Sequence, residues 1–118
     1  THNCVVYTET HDNDTVMGWY DTLKGADKKL CDDYLRLKNA DGEPIPREQL
    51  PWEFVRAAMS SVADLAIIPM QDYLGLGSEA RINIPSTLGI NWKWRMGNGD
   101  FTKELAGRIR SMTKLYGR

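Results

Sequence analysis

The side chains able to do chemistry are densest in Thr8-Glu9-Thr10-His11-Asp12-Asn13-Asp14-Thr15. One imidazole, three carboxylates (Glu9, Asp12, Asp14), an amide and three hydroxyls occupy these eight residues. Such a set can move protons, hold a fixed negative charge beside a reacting centre, or bind a ligand rich in hydroxyls. Asp12 taken alone equally fits a helix N-cap, because its carboxylate can accept an exposed backbone N–H. His11 alone fits an ordinary loop histidine. A metal site is not expected, since His11, Asp12 and Asp14 stand in a row without the usual ligand spacing.

Further along, Asn83 is a second polar candidate. It reads either as a donor to a ligand hydroxyl or as an Asx turn ahead of Pro85. Trp92 and Trp94 flank Lys93, so a short strand would put both indoles on one face, for packing or for stacking on a ring. Gln71-Asp72 is expected to hold the surrounding loop in place. Gly75-x-Gly77 is not a phosphate loop, because no strand-to-helix GxGxxG pattern surrounds it.

These residues need elements to position them. Cys4 to Thr8 reads as a short β-branched and aromatic strand. Its Val5-Val6-Tyr7 run lacks polar alternation, as a strand covered on both faces would. A helix is expected from about Asp14 to Leu23, with Thr10, Asp12 or Asn13 as N-cap and Gly25 as C-cap. An amphipathic helix over 27–38 follows, burying Leu30, Cys31, Tyr34, Leu35 and Leu37. Asn39 to Pro46 is a loop, and a helical turn is expected near 47–49. Pro51 opens a helix burying Trp52, Val55, Met59 and Val62. Leu65 to Ile68 forms the next strand, which Pro69 stops. Strand, helices, strand predicts a parallel crossover. Met70 to Gly99 is irregular, and its tryptophans and isoleucines argue against disorder. Asp100 caps a last helix to about Tyr116, whose buried stripe is Leu105, Ile109, Met112 and Leu115 or Tyr116.

Composition narrows the possibilities. The 118 residues carry a net charge of −1, with 42% hydrophobic and 26% charged residues. That balance excludes nucleic-acid binding through bulk positive charge and offers nothing to an anionic membrane. The longest apolar run, Leu65 to Met70, is too short to span a bilayer. No basic stretch followed by an apolar run opens the sequence, so no signal peptide is expected. Cys4 and Cys31 make no CxxC spacing and are expected to be reduced thiols in a reducing, cytoplasmic setting. The sequence starts at Thr1 without Met and enters a strand almost at once. Two strands alone make an incomplete sheet. Both features suggest a piece of a longer protein, or one from which a propeptide has been removed.

Three blocks resemble one family. The first is Val5-Val6-Tyr7-Thr8, then Thr10-His11-Asp12-Asn13-Asp14-Thr15 and Gly18-Trp19. The second is Pro69 to Gly77, then Ala80-Arg81-Ile82-Asn83-Ile84-Pro85. The third is Asn91-Trp92-Lys93-Trp94-Arg95-Met96. Together they resemble the C-terminal end of the amylomaltases, the 4-α-glucanotransferases of glycoside hydrolase family 77. The resemblance covers essentially the whole chain, with Leu115-Tyr116-Gly117-Arg118 as the natural end of such an enzyme. Glu9 and Ser86 depart from it, standing where small glycines are expected.

The resemblance implies an α/β fold: the last two βα units of a (β/α)8 TIM barrel, helix-rich with a small parallel sheet. Residues 1–118 would be a single C-terminal segment of the catalytic barrel domain. It implies a retaining mechanism with a nucleophilic Asp, an acid/base Glu and a third, stabilising Asp. Asp12 would be the stabiliser and His11 its substrate-binding neighbour. Asn83, in a loop just past the second strand, would lie at the same face of the barrel as a candidate donor to a sugar hydroxyl. The other two carboxylates would lie upstream of Thr1, leaving the 118 residues inactive alone. The partner would be a maltooligosaccharide or a glucan derived from glycogen or starch, with no metal and no cofactor. An alternative is a non-catalytic glucan-binding or assembly module using Trp92, Trp94 and Asn83. Open sheet edges would drive the isolated segment to self-associate.

Overall fold

The computed structural model describes residues 4–118. It is an α/β arrangement with a two-stranded parallel sheet. Strand β1, Val5–Tyr7, pairs with β2, Leu65–Ile67, in the register Val5 to Leu65, Val6 to Ala66 and Tyr7 to Ile67. Helices α1 (Val16–Thr22), α2 (Gly25–Tyr34) and α3 (Leu50–Met59) connect the strands, with a 3-10 turn at Arg47–Gln49 before α3. After β2 come a short α4 (Met70–Tyr73), a 3-10 turn at Ser78–Ala80 and the terminal α5 (Lys103–Leu115). The parallel crossover expected from the sequence is therefore present.

Helix α3 organises the core because its apolar stripe meets two clusters. On one face Leu50 and Phe54 pack with Val16, Met17, Tyr20 and Leu37. On the other, Trp52, Val55 and Met59 pack with Met112 of α5. Val55 is completely buried. Replacing a buried aliphatic side chain of this kind by Ala costs about 2–5 kcal/mol.

Several sequence expectations fail for local reasons. Helix α2 stops at Tyr34 instead of reaching Lys38. Arg36 adopts φ 56°, and the Leu37 and Arg36 N–H groups donate to the carbonyls of Asp32 and Asp33. That pair of bonds is a Schellman stop, which satisfies the last carbonyls of the helix. Leu37 is buried as expected, but from the turn beyond the helix. Leu30 and Tyr34 are exposed, so only part of the expected apolar face is covered. Gly25 opens α2 with φ 55°, and Leu23 ends α1. Val62 lies beyond the end of α3 and is exposed. Helix α5 is capped by the Thr102 hydroxyl, which accepts from the Leu105 N–H, while Asp100 accepts from Gly97 N–H. Tyr116, partly buried, packs against the same cluster and Leu115 is exposed.

The sheet departs most. Val5, Tyr7, Leu65 and Ile67 are all exposed by 42% or more. With a side-chain period of two, these four share one face. That face stands open, because the described residues supply neither further strands nor a layer to cover it. No helix among the described residues is long and apolar enough to cross a membrane.

Candidate functional site

The polar stretch after β1 folds as a locked turn. Asn13 N–H donates to the Thr10 carbonyl at 3.0 Å, which puts His11 and Asp12 at its tip. The Asn13 side-chain oxygen accepts from the Thr10 N–H at 3.1 Å and the Thr10 hydroxyl at 2.8 Å, closing the turn's base. Asn and Thr suit this role because their short polar side chains reach nearby backbone. The turn is thus stiff while its tip is open. His11 and Asp12 side chains are 53% and 52% exposed, and His11 Nε2 lies 3.3 Å from Asp12 Oδ2.

Asp12 is not the cap of α1. Thr15 holds that position, its hydroxyl accepting from Gly18 N–H. The Val16 N–H goes to Asp72, a residue distant in sequence, at 3.0 Å. Asp72 is fully buried, and its other oxygen accepts from the Thr8 hydroxyl at 2.6 Å. One carboxylate thereby ties the end of β1 to the start of α1. Gln71 adds a buried bond from Nε2 to the Ala80 carbonyl at 3.2 Å. The expected anchoring role of Gln71-Asp72 is what the structure displays. Asp14 accepts from Thr15 N–H and from the Ser78 hydroxyl, drawing the 3-10 turn onto the same loop.

The second candidate segment meets the first here. Asn83 Nδ2 donates to Asp12 Oδ1 at 2.8 Å. The Asn83 side chain is therefore used between loops, where an Asx turn ahead of Pro85 was the other reading. Arg81, which the sequence did not single out for a role, donates from Nη2 to the Asp12 carbonyl and from Nε to the Asn83 carbonyl, both at 2.9 Å. Its only sequence signal is a cation enclosed by Ala80 and Ile82.

Trp92 approaches the same tip. Its ring centroid is 4.8 Å from that of His11, with planes inclined by 39°. Within the described residues it is 61% exposed. The segment is not the expected strand, since Trp92 has φ 61°. A non-glycine residue in that region carries strain of about 1–3 kcal/mol, and such strain concentrates at functional sites. Ser86, where a glycine was expected, also has a positive φ of 63°.

The electrostatics single out Glu9. Burial first, then the charges of Asp72 and Asp14, push its carboxyl up to about 8, while Arg81 pulls it down. Its Oε2 is buried with no hydrogen-bond partner. Burial and the Asp14 charge also raise Asp72, against the pull of the Thr8 hydroxyl and the Val16 N–H. A cavity of about 390 Å³ adjoins, lined by Thr8, Glu9, Asn13, Asp14, Trp19 and Phe54 among others. Glu9 thus adds far less charge beside Asp12 than its type suggests. Among the described residues, no group of three or more His, Cys, Asp or Glu side chains is placed to hold a metal ion.

His11, Asp12 and Asn83 therefore converge, from two loops 71 residues apart. Comparison with known proteins bears on what they form. The chain is 47% identical over 117 residues to a 4-alpha-glucanotransferase of Clostridium butyricum, covering 98% of this chain and 23% of that enzyme. It is 44% identical over 119 residues to a chloroplastic/amyloplastic 4-alpha-glucanotransferase of Arabidopsis thaliana, covering 98% of this chain and 19% of that one. Its fold matches an amylomaltase from Streptococcus agalactiae, solved in complex with acarbose, with a TM-score of 0.85 and 33% identity. That match covers 100% of this chain and 22% of the solved one. The chain thus spans about a fifth of the length of the relatives it matches. The family model for 4-alpha-glucanotransferase, glycoside hydrolase family 77, matches residues 1–101, and the chain belongs to that family.

Proposed function

We propose that this chain is the segment of a retaining 4-α-glucanotransferase that carries the stabilising carboxylate, Asp12. In that reading it forms the last two βα units of a (β/α)8 barrel, and 1–118 is one C-terminal piece of the catalytic domain. Asp12 then lies just past the C-terminal end of a barrel strand, where the catalytic residues of such barrels stand. The intact protein moves α-1,4-glucan segments between maltodextrin chains. A carboxylate nucleophile forms a glycosyl–enzyme bond as the acid/base protonates the departing oxygen. A sugar hydroxyl then displaces the enzyme, giving up its proton to that same acid/base. Both groups come from chain outside these 118 residues. Asp12 supplies a fixed negative charge near the oxocarbenium-like transition state, and preorganised charge is usually a large catalytic term. His11 and Asn83 bind sugar hydroxyls. A cytoplasmic location belongs to the same proposal.

The observation that carries it is the 2.8 Å bond between Asn83 and Asp12. It brings Asn83, a candidate donor to a sugar hydroxyl, onto the carboxylate that the family resemblance marks as the stabiliser. The test is Asp12→Asn in the intact enzyme, with glucose release from maltotriose as the assay. Loss of activity by at least about 10²-fold with the melting temperature kept is expected. Activity within a few-fold of wild type refutes the role. The 118-residue chain assayed alone should show none.

A second reading is favoured by one feature, the exposed Trp92 beside His11. In it the segment binds glucan without chemistry. Calorimetric titration with maltooligosaccharides separates the two: binding kept in Asp12→Ala and lost in Trp92→Ala supports this module. The open face of Val5, Tyr7, Leu65 and Ile67 underlies a further expectation, that the isolated chain self-associates. A monomer by light scattering at high concentration contradicts it.

A further inference from the structure

Asp12 and Asn83 belong to separate loops, and each loop needs something to hold it at hydrogen-bond distance from the other. The Asn83–Asp12 bond is itself half-exposed, with the Asp12 side chain 52% open to solvent. A single half-exposed bond of this kind, in competition with water, is too weak by itself to fix two loops.

We infer that Arg81 is the positioning residue of this pair, its guanidinium taking the backbone carbonyl of Asp12 and that of Asn83 in one planar fork. The inference deepens the proposed function and rests on Asp12 acting in the site. The geometry has a particular economy. An arginine this close to an aspartate ordinarily pairs with its carboxylate. Arg81 instead bonds to the main chain of Asp12 through Nη2 and to the main chain of Asn83 through Nε. The Asp12 carboxylate is left to a neutral amide, Asn83 Nδ2, and to the neighbouring His11. A carboxylate neutralised by a bidentate guanidinium would have little field left for a developing cation. One held by an amide keeps its charge and gains a fixed position.

The fork also explains why the residue is arginine. Two carbonyls from different segments must be met from one side in a fixed plane. The guanidinium presents rigid donors in that arrangement, whereas a lysine ammonium is a single compact charge on a flexible stem. Arg81 sits two residues before Asn83, so the fork also curls the second loop upon itself. Its cause is local on that side and long-range on the other, spanning 69 residues to Asp12.

The experiment compares Arg81→Lys and Arg81→Ala with wild type in the intact enzyme. Steady-state rates on maltotriose, melting temperatures and crystal structures are measured. Misplacing a catalytic group by about 1 Å costs about 10²-fold, so Arg81→Ala should lower kcat by about 30–100-fold with KM changed less than about threefold. Arg81→Lys should recover part of that loss. Added methylguanidinium should restore Arg81→Ala several-fold and leave Asp12→Asn unmoved. The crystal structure of Arg81→Ala should show Asn83 Nδ2 and Asp12 Oδ1 beyond about 3.5 Å, outside hydrogen-bond range. Wild-type kcat in Arg81→Ala overturns the inference. So does a loss that follows the melting temperature and resists methylguanidinium, or an Asn83–Asp12 bond that survives in the variant. A wild-type enzyme without transferase activity overturns the proposed function instead, while the crystallographic distance still decides the role of Arg81.

Discussion

Glu9 should make the protein less stable as pH rises, the reverse of an ordinary salt-bridged carboxylate. Its folded pKa is about 8 against an ordinary 4.5, chiefly because its carboxyl is buried beside Asp72 and Asp14. The folded state then binds more protons than the unfolded state throughout that window. Stability contributed by this group is fully present below 4.5, falls as pH rises, and is gone above about 8. The gap corresponds to at most about 5 kcal/mol, from about 1.4 kcal/mol for each pH unit. Glu9 is only partly buried, so solvent relaxation reduces the real figure to about 2 kcal/mol. Glu9→Gln removes the titration while keeping the shape. Urea unfolding of both proteins at about pH 5 and about pH 8.5 gives the comparison. The two should be nearly equal at the lower pH, with the variant more stable by about 2 kcal/mol at the higher one. Titrating groups that do not interact with Glu9 cancel in the difference. A difference that does not change with pH refutes the argument that this carboxyl is held neutral.

Three further outcomes follow from the same loops. Asp72→Ala should cost about 2–4 kcal/mol in urea unfolding, because the Thr8 hydroxyl and the Val16 N–H lose a buried partner. Gly18→Ala should destabilise by about 1–3 kcal/mol in thermal unfolding, since a Cβ there would overlap the Ser78 hydroxyl and both Asp14 carboxylate oxygens. Arg36→Gly should raise stability by about 1 kcal/mol, because φ 56° strains a residue with a Cβ, partly offset by the freer unfolded chain. An unchanged or lower unfolding midpoint would contradict the reading of Arg36 as a strained helix stop.

Sequence by itself determined the local plan. Short apolar runs gave β1 and β2, and apolar spacing gave α1, α3 and α5, because periodicity records which face is buried. The family blocks marked Asp12 and His11, Asn83 was a candidate from its loop position, and the structure places Asn83 against Asp12. The helix stops were less legible. The Schellman turn at Arg36 uses an arginine where glycine is the usual signal, so apolar spacing alone carries the expected helix past its true end. Leu30 and Tyr34 show a second limit: apolar spacing marks a face, but only a neighbour makes that face buried.

Tertiary structure alone decided which polar residue did what. Asp12, Asn13 and Thr10 all had the chemistry of a cap, yet the cap of α1 is Thr15, assisted by Asp72 from 56 residues away. No local rule can foresee a partner at that distance. Asp12 is released from capping by that contact and is free to face outward beside His11. The same holds for Glu9, whose charge was legible and whose neutrality was not, because burial and two neighbouring carboxylates set it. Residue types and spacing fix what a side chain can do. Contacts between segments far apart in the chain fix which of those things it does.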